Sequence, residues 1–358
     1  MENMVKSEKI QPSYNTDRVK LGKVLPIDTP FTIMADISDV CNFKCNYCFR
    51  GMGKKEYFYG NDKFMTEETF HQIIAQALEF DGRIKRFSLS HQGEPLAHPK
   101  FAEFAAFAKE QDVADSVEIH TNASLLNLEL CRKIAECNLD RIIISLQGMD
   151  AEKYKEICGF SIDYETFFEN IKYLYQIKKE TLLCIKIIDT ALTKEQENLF
   201  YEKYAPVADR IYIETEVPLW DGNKTDVIPG TKKTNNKYGR ENMWQQTCPL
   251  VFYTLNVLPD GTVFPCTNIR PPFILGNVHL IHLKECWESA KRRDFLTAQL
   301  KNARGNCQIC QNCYIPQNTI MTQEDVIDGF EEDILKRMER KTYDSRRTTD
   351  CMCGKRKL

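Results

Sequence analysis

The sequence predicts an α/β protein in which a partial (β/α)6 TIM-like barrel precedes a small, cysteine-rich C-terminal domain. The first observation is that six short, β-branched runs alternate with amphipathic stretches between residue 31 and about residue 214. Strands separated by helices form a parallel sheet with right-handed crossovers. The second is length, since 358 residues suffice for one large domain and a smaller one. In such a barrel, reactive side chains stand at the carboxyl ends of the strands.

The elements of the barrel follow in order along the chain. The predicted strands are Phe31–Asp36, Arg86–Ser90, Ser116–His120, Arg141–Ser145, Leu182–Ile188 and Arg210–Glu214. The first helix begins at Thr66, a good N-cap that is followed by Glu67 and Glu68 in the first turn. Apolar residues recur at helical spacing in four further segments, which are Phe101–Lys109, Leu128–Cys137, Tyr164–Ile177 and Lys194–Tyr204.

A polar segment rich in Gly, Pro and Asn interrupts this alternation and predicts a linker. Beyond it the pattern indicates a strand at Val251–Val257, a short strand at Thr262–Phe264 and a helix near Leu283–Leu300. The expected organisation is an N-terminal extension (1–30), the barrel (31–218), the linker (219–245), the C-terminal domain (246–318), and an exposed, charged helix with a frayed tail (319–358).

Composition excludes several classes of protein. Apolar residues make up 42% of the chain, charged residues 28%, and the net charge is −3, as in an ordinary globular protein without a basic bias toward nucleic acid. The longest apolar runs are far shorter than the roughly 20 residues of a membrane span. The N-terminus lacks the apolar core of a signal peptide. We therefore expect a cytoplasmic protein with no nucleic-acid and no membrane partner.

The fifteen cysteines are grouped rather than scattered. Three lie within residues 41–48, three within residues 307–313, and two at positions 351 and 353. In a reducing compartment such runs indicate metal ligands before disulfides. Four others lie in apolar periodic segments, where a free cysteine behaves as a small core residue; these are Cys131, Cys137, Cys158 and Cys184.

The first group follows the first predicted strand directly. Cys41, Cys45 and Cys48 are spaced so that a loop can wrap one cubane and each thiolate can bind a different iron. The next cysteine in the sequence is Cys131, so no fourth ligand is nearby, and a catalytic metal site keeps one position open in this way. A zinc site that includes His71 and a ferredoxin-like cluster with a remote ligand are the alternatives.

This CxxxCxxC motif, with the aromatic Tyr47 before the third cysteine, resembles the signature of the radical S-adenosylmethionine superfamily. The resemblance implies that Cys41, Cys45 and Cys48 hold a [4Fe–4S] cluster whose open iron binds S-adenosylmethionine, and that Tyr47 flanks the adenine. One-electron reduction, by a partner such as flavodoxin or ferredoxin, would then release a 5′-deoxyadenosyl radical that abstracts hydrogen from a substrate.

Three further motifs support the resemblance. Ser90–Pro95 resembles the family's GGEP motif with Gln92 in place of a glycine, which implies that Gly93 permits close backbone approach and Glu94 accepts a hydrogen bond from the methionyl ammonium. Residues 121–123 resemble Thr-Asn-Gly with alanine for glycine, and residues 145–148 resemble Ser-Leu-Asp-Gly. Asn122 and Ser145 are thus candidates for ribose and carboxylate contacts, with strand-end capping as the alternative.

The second cysteine group resembles the auxiliary-cluster domain called SPASM, or its shortened form Twitch. The resemblance rests on Cys248, Gly261 and Cys266 and on the Cys-x2-Cys-x2-Cys run that begins at Cys307. It implies one auxiliary [4Fe–4S] cluster whose ligands are Cys248, Cys266, Cys310 and Cys313. Cys307 is then a spare or replaces one of the last two. A zinc site with the same four ligands is the alternative, and Cys351 with Cys353 could complete a second cluster.

Residues that touch substrate are expected at the strand ends, and the candidates are His91, Gln147, Lys186, Asp189, Glu214 and Glu216. An oxidation needs a base and an electron acceptor. A buried Lys or Glu with a shifted pKa suits the first role, and the auxiliary cluster suits the second. Lys186 and Glu214 are the preferred catalytic pair, with a salt bridge across the barrel mouth as the alternative. His91 is either a catalyst or a histidine satisfied by its neighbours.

The favoured function is that of a radical S-adenosylmethionine oxidoreductase acting on a small polar molecule, such as a sugar or aminocyclitol. The alternative is a maturase that modifies a peptide or protein side chain. About thirty residues precede the first strand, too few for the added leader-binding domain that many maturases carry, which favours the small molecule. A non-catalytic iron–sulfur electron carrier is disfavoured, because it needs neither an open site nor the Gly93–Pro95 turn.

Overall fold

In the computed structural model, which describes residues 8–53, 62–219 and 235–341, one open sheet of nine strands organises the chain. Its spatial order is β6-β5-β4-β3-β2-β1-β7-β8-β9, with β1 to β6 parallel in sequence order. The strands are β1 Thr32–Ala35, β2 Arg86–Ser88, β3 Val117–Thr121, β4 Arg141–Leu146, β5 Leu182–Ile188, β6 Arg210–Glu214, β7 Thr254–Val257, β8 Thr262–Phe264 and β9 Gly276–Asn277. The α/β class and the partial barrel are as predicted.

Helices connect the parallel strands and cover the outer face of the sheet. Side-chain caps fix where they begin: Thr66, Asn127, Asp150 and Thr193 each accept a hydrogen bond from a backbone N–H of the first turn. Within the described ranges, no helix has the length and apolarity that a membrane crossing requires. The described helices of six or more residues are α1 Glu67–Ala77, α2 Phe101–Glu110, α3 Leu128–Cys137, α4 Ala151–Cys158, α5 Tyr164–Ile177, α6 Lys194–Tyr204, α7 Leu283–Glu288, α8 Ala290–Leu300 and α9 331–341. Two shorter helices are Leu21–Val24 and Ile315–Thr319.

The C-terminal strands extend the main sheet instead of building a sheet of their own. Strand β7 pairs in parallel with β1, from Thr32 opposite Thr254 to Ala35 opposite Val257, and β8 and β9 follow antiparallel. All four residues of both β1 and β7 are buried, so β7 covers what would otherwise be an exposed edge. The strand predicted at Val251–Val257 starts later than expected because residues 250–252 form a 3-10 turn.

The two ends of the described chain pack together, which corrects the expectation of an exposed C-terminal helix. Ile334 and Met338 of α9 are buried in a cluster that also contains Leu21 and Leu25. The guanidinium of Arg337 donates to the carbonyl oxygens of Leu25 (2.7 Å) and Gly22 (2.6 Å). The expected frayed tail, with Cys351 and Cys353, and most of the expected linker lie outside the described residues.

The N-terminal segment crosses the amino ends of the strands and forms a floor under the sheet's inner face. Ile10 bridges to Ile211 at the β6 edge. Tyr14 is inserted between Arg86 and Arg141, whose guanidinium carbons lie 5.2 and 5.1 Å from its ring centre. Its hydroxyl donates to Glu118 Oε1 (2.7 Å), so the polar residues at the bottom of β2, β3 and β4 are closed off by one aromatic side chain.

Candidate active site

A large cavity lies on the inner face of the sheet, with a volume of about 2990 Å³ including the part open to solvent. It extends from Tyr14 on the floor to Tyr47 at the carboxyl ends of the strands and to Thr267 in the C-terminal region. Of the six residues expected to touch substrate, Asp189 alone does not line the cavity. Its carboxylate accepts from the Glu216 backbone N–H (2.9 Å). The candidates that line it are His91, Gln147, Lys186, Glu214 and Glu216.

The first cysteine group lies in the loop after β1 and beside the C-terminus of α4. The backbone N–H groups of Lys44 and Asn46 donate to the last carbonyl oxygens of that helix, at 2.9 and 2.8 Å. Burial, followed by smaller effects that include the neighbouring thiols Cys45 and Cys48, raises the pKa of the Cys41 thiol to about 12. A buried thiolate is therefore unfavourable without a compensating cation, and bound iron supplies one. The three residues fit a metal cluster.

Cys158 lies against this group, although the sequence places it among the core cysteines. It is the last residue of α4, is buried, and its thiol forms a hydrogen bond with Cys45 that raises the pKa of Cys45 far above its usual value. Cys158 is therefore close to the first cysteine group in space, although it is distant from it in the sequence.

Two glycines let the cysteine loop pack tightly. A Cβ on Gly93 would lie 1.8 Å from the Ser38 carbonyl oxygen, and one on Gly51 would lie 2.1 Å from the Cys45 carbonyl oxygen. The Glu94 backbone N–H also donates to the Val40 carbonyl (2.8 Å). The close approach at Gly93 is thus to the cysteine loop itself, while Gly51 was not singled out by any sequence motif.

Glu94 is buried and is bound by donors of the chain. Its Oε1 accepts from the Thr121 hydroxyl (2.6 Å) and the Leu96 N–H (3.0 Å), and its Oε2 accepts from the Asn122 N–H (2.8 Å). Burial raises the pKa of Glu94 to about 7 against these hydrogen bonds. Glu94 therefore joins the β2 turn to the end of β3, and its contact with a methionyl ammonium stays a prediction.

Asn122 is held beside the cysteine loop rather than at the cavity wall. Its amide donates to Asn42 Oδ1 (3.0 Å) and lies 4.0 Å from Cys41 Sγ, and its Oδ1 accepts from Ser124. Ala123 next to it has φ +60°, the left-handed conformation for which the family motif uses glycine. Ser145, by contrast, lines the cavity.

Tyr47 connects the cysteine loop to the end of β4. Its hydroxyl donates to Gln147 Oε1, and both side chains line the cavity. Burial holds the pKa of Tyr47 well above its usual value, so the hydroxyl keeps its proton and acts as a donor. This contact orients the aromatic ring that the motif places beside the adenine.

Lys186 on β5 and Glu214 on β6 form an ion pair with Nζ 2.6 Å from Oε2. Burial would raise the pKa of Glu214, but the charges of Lys186 and Lys237 and the hydrogen bond from Lys186 outweigh burial and lower it. A carboxylate with a lowered pKa is a weak base. The structure thus shows a salt bridge at the cavity wall, because adjacent parallel strands place the two side chains together, and the catalytic role of the pair stays a prediction.

His91 stands between the two halves of the chain. Burial lowers the pKa of its imidazole to about 4, and the ring lies beside the backbone of Thr267. Its Nε2 is inaccessible to solvent and has no hydrogen-bond partner among the described residues. The neutral ring lines the cavity while one of its nitrogens is buried without a partner, so His91 is only partly satisfied by its neighbours.

The second cysteine group surrounds a separate, smaller cavity of about 350 Å³. The four cysteines expected as ligands line it, and Cys307 does not, although its thiol hydrogen-bonds to Cys310. Burial raises the pKa of Cys248 to about 12, so here too a thiolate requires a cation beside it. The four residues fit a metal cluster, and they are Cys248, Cys266, Cys310 and Cys313.

The two cavities share a wall. Leu250, Thr267 and Ile315 line both of them. The larger cavity also contacts Cys48 of the first group, so it reaches from one cysteine group to the side chains that cover the other.

Comparison with known families agrees with this geometry. Residues 36–197 match the family model of the Radical SAM superfamily, and residues 248–314 match that of SPASM, an iron–sulfur cluster-binding domain. These domains imply a [4Fe–4S] cluster with S-adenosylmethionine in the first and auxiliary iron–sulfur binding in the second.

Individual proteins share parts of the chain. A probable GTP 3′,8-cyclase of Methanocaldococcus jannaschii is 29% identical over 167 residues, 47% of this chain and 48% of its own, so the match spans about half of that relative. The structure of BtrN in complex with AdoMet and 2-DOIA covers 82% of this chain and 96% of its own, with TM-score 0.52 and 17% identity. That of Streptococcus suis SuiB bound to precursor peptide SuiA covers 87% and 78%, with TM-score 0.54 and 14% identity. At these identities the two structures establish the fold alone.

Proposed function

Because the chain is a radical S-adenosylmethionine enzyme that carries a SPASM domain, we propose that it abstracts hydrogen from a small polar substrate, such as a sugar or aminocyclitol, and oxidises it. The observation that carries the proposal is the wall between the two cavities. A substrate in the larger cavity lies beside Leu250, Thr267 and Ile315, and the second cysteine group lies directly behind them. An auxiliary cluster there is placed to accept an electron.

Cys41, Cys45 and Cys48 would hold the first cluster, and Cys248, Cys266, Cys310 and Cys313 the auxiliary one. When bound, the first cluster and S-adenosylmethionine supply a 5′-deoxyadenosyl radical, with the electron coming from a one-electron reductant such as flavodoxin or ferredoxin. A zinc site with the same four cysteines of the second group is the alternative, and metal analysis separates the two.

The chain's own residues hold the reactants and exclude water. Tyr47, oriented by Gln147, would cover the adenine, and Gly93 and Glu94 would position the methionyl end through the β2 turn. Ser145 lies at the cavity wall where it can contact the cofactor, whereas Asn122 would act through Asn42 and the cysteine loop.

Several polar side chains of the cavity wall suit a substrate with hydroxyl groups. Lys186 offers ammonium donors and Glu214 offers carboxylate acceptors on neighbouring strands. The lowered pKa of Glu214 keeps its carboxylate charged. The neutral imidazole of His91 lines the same cavity close to Thr267. These groups would bind and orient the substrate between the two clusters.

Peptide modification is the second candidate, because the cavity is open to solvent and could admit a polypeptide segment. Deuterium transfer separates the two candidates. With deuterated sugars or aminocyclitols as substrates, mass spectrometry should find deuterium in the 5′-deoxyadenosine. Deuterium that arrives only from labelled peptides would contradict the proposal.

The cleavage reaction itself provides the first test. Anaerobically reconstituted protein with dithionite should convert S-adenosylmethionine into 5′-deoxyadenosine and methionine. Replacing Cys41, Cys45 and Cys48 together by Ala should abolish this and leave the auxiliary iron in place. The matched control is Cys158→Ala, which removes the thiol that touches Cys45 and should retain cleavage. Undiminished cleavage by the triple variant would refute the assignment of the first cluster.

A further inference from the structure

One arginine is buried at the edge of the four-cysteine cavity. Arg304 lies in the short turn Ala303–Asn306, is 3% exposed, and lines this cavity together with the cysteines. No carboxylate lies within ion-pair distance of it in the described part of the chain. Its guanidinium carbon lies 4.9 Å from the ring centre of Trp244, whose side chain is largely exposed and covers it. A charged side chain is therefore kept beside this cavity without an anionic partner among the described residues.

The guanidinium N–H groups of Arg304 bind two segments of the chain. One segment carries Cys310 and Cys313, and the other leads to Cys248. Its Nε donates to the Cys310 carbonyl (3.1 Å), one terminal nitrogen donates to the Cys313 carbonyl, and the other donates to the Gln245 carbonyl, three residues before Cys248. Because the bonds fix its position, the positive charge stays next to the thiols.

A second polar group of the chain points at a sulfur of the same site. Asn268 follows Cys266 by two residues, is buried, and its Nδ2 donates to Cys313 Sγ at 3.2 Å. Its Oδ1 accepts from the Arg270 N–H (2.9 Å), which fixes the orientation of the amide. Hydrogen bonds to cluster sulfurs, local charge and solvent exposure are the factors that set the potential of an iron–sulfur cluster.

We propose that Arg304, assisted by Asn268, raises the reduction potential of the auxiliary cluster and so makes it an electron acceptor. The inference rests on the proposed function, which places a [4Fe–4S] cluster in this cavity. Reduction adds one electron, and hence one negative charge, to a site that already holds four thiolates. A fixed positive charge and an N–H donor stabilise the reduced form more than the oxidised form. Both residues are positioning residues, since neither binds iron.

The chain contains a matched control for this arginine. Arg292 on α8 is also buried, donates to three carbonyl groups (Trp287, Val251 and Phe252), and lies over a tryptophan ring at 3.3 Å. It does not line the four-cysteine cavity. Removing its charge therefore removes a similar set of bonds from the same region without removing a charge from the cavity wall.

The test is an anaerobic redox titration followed by electron paramagnetic resonance. It uses the full chain with Cys41, Cys45 and Cys48 replaced by Ala, so that the auxiliary cluster alone gives the signal. In this background, Arg304→Met should lower the equilibrium constant for one-electron reduction about tenfold or more, which is about 59 mV in potential. Asn268→Ala should lower it in the same direction by about threefold. Arg304→Lys and Arg292→Met should stay within about twofold of the parent.

Where a variant does not assemble its auxiliary cluster, its iron content tests the proposal in place of the potential. If Arg304→Met loses the auxiliary iron while Arg304→Lys keeps it at the parent potential, the charge is required and the proposal holds. If both lose it, Arg304 only braces the loop and the proposal is wrong. Parent potentials in loaded Arg304→Met, or an equal shift in Arg292→Met, also overturn it. Zinc in place of auxiliary iron would instead refute the proposed function before any potential is measured.

Discussion

Glu94 illustrates how single residues shape the site, because one carboxylate connects the ends of β2 and β3. Glu94→Gln keeps the size of the side chain but directs an amide donor at the Asn122 N–H that now donates to Oε2. The predicted hydrogen bond from the methionyl ammonium to this charged carboxylate should contribute roughly 1.5–3 kcal/mol. Affinity for S-adenosylmethionine, measured by calorimetry, should therefore fall about tenfold to a hundredfold in the variant. The first cluster should still assemble.

The control for this variant is Glu216→Gln, which changes a carboxylate at the cavity wall just beyond β6, far along the sheet from β2. Its affinity for S-adenosylmethionine should match that of the parent. Equal affinities in Glu94→Gln and the parent would show that the methionyl end binds elsewhere.

Asp36, which follows β1, makes stability depend on pH. Its carboxylate accepts from the Gln92 N–H (3.0 Å) and the His91 N–H (3.3 Å), and burial raises its pKa from 3.8 to about 7. Between these values the folded state keeps a proton that the unfolded chain releases. The contribution of Asp36 is therefore full below about pH 4 and is lost as pH rises to about 7, by a total of about 4 kcal/mol.

Asp36→Asn should remove this dependence, since an amide does not titrate. Urea unfolding of the cluster-free protein between about pH 5 and 8 should show a smaller loss of stability with rising pH in the variant than in the parent. The difference between the two slopes isolates Asp36 from other titrating groups, such as Glu94. Parallel curves would mean that Asp36 is already charged at low pH in the folded protein.

At the scale of elements, the sequence predicted helices and strands whose bounds depend on interactions between residues close together in the chain. The helices at Leu128–Cys137, Tyr164–Ile177 and Lys194–Tyr204 and the strands β5 and β6 agree with the sequence to the residue, because periodicity and caps act within a few residues. Helix α4 was missed, and one expected helix is broken at Ser289. The pairing of β7 with β1 depends on contacts more than 200 residues apart, which no local pattern contains.

The site shows the same division between local and distant information. The spacing of Cys41, Cys45 and Cys48 pointed to one loop, and the structure places all three in it. The contact of Cys158 with Cys45 and the bonds of Arg304 to Gln245 depend instead on how distant segments pack. Lys186 and Glu214 were foreseen as two strand-end residues, but their direct ion pair follows from the pairing of β5 with β6.

The turn after β2 offers a test of how one element supports another. Gly93→Ala would place a methyl group 1.8 Å from the Ser38 carbonyl oxygen, which forces the cysteine loop to move. We expect loss of the first cluster's iron, about four per chain, and at least a tenfold drop in cleavage of S-adenosylmethionine. Gly305→Ala is the control, because a Cβ there meets no atom within 4 Å. Wild-type iron and cleavage in Gly93→Ala would show that the loop tolerates the shift.

At the scale of the whole molecule, the C-terminal region is part of the core rather than an appendage. Strand β7 completes one edge of the parallel sheet, and α9 packs on the N-terminal residues Leu21 and Leu25. The four cysteines of the second group nevertheless line a cavity of their own. Loss of the auxiliary cluster should therefore leave the sheet and the first cysteine loop in place.

This separation gives the last prediction. With one cluster at each group, the parent should contain about eight irons per chain and no stoichiometric zinc, while Cys310→Ala with Cys313→Ala should contain about four. Cleavage of S-adenosylmethionine by the double variant should remain near the parent rate, because the first loop is held by α4 and the β2 turn.

Cys307→Ala is the matched control from the same segment, and since Cys307 does not line the cavity this variant should keep about eight irons. Four irons in Cys307→Ala would make Cys307 a ligand, and about twelve in the parent would require a second auxiliary cluster. A double variant that loses cleavage along with its auxiliary iron would show that the second cluster supports the first, contrary to the separation of the two cavities.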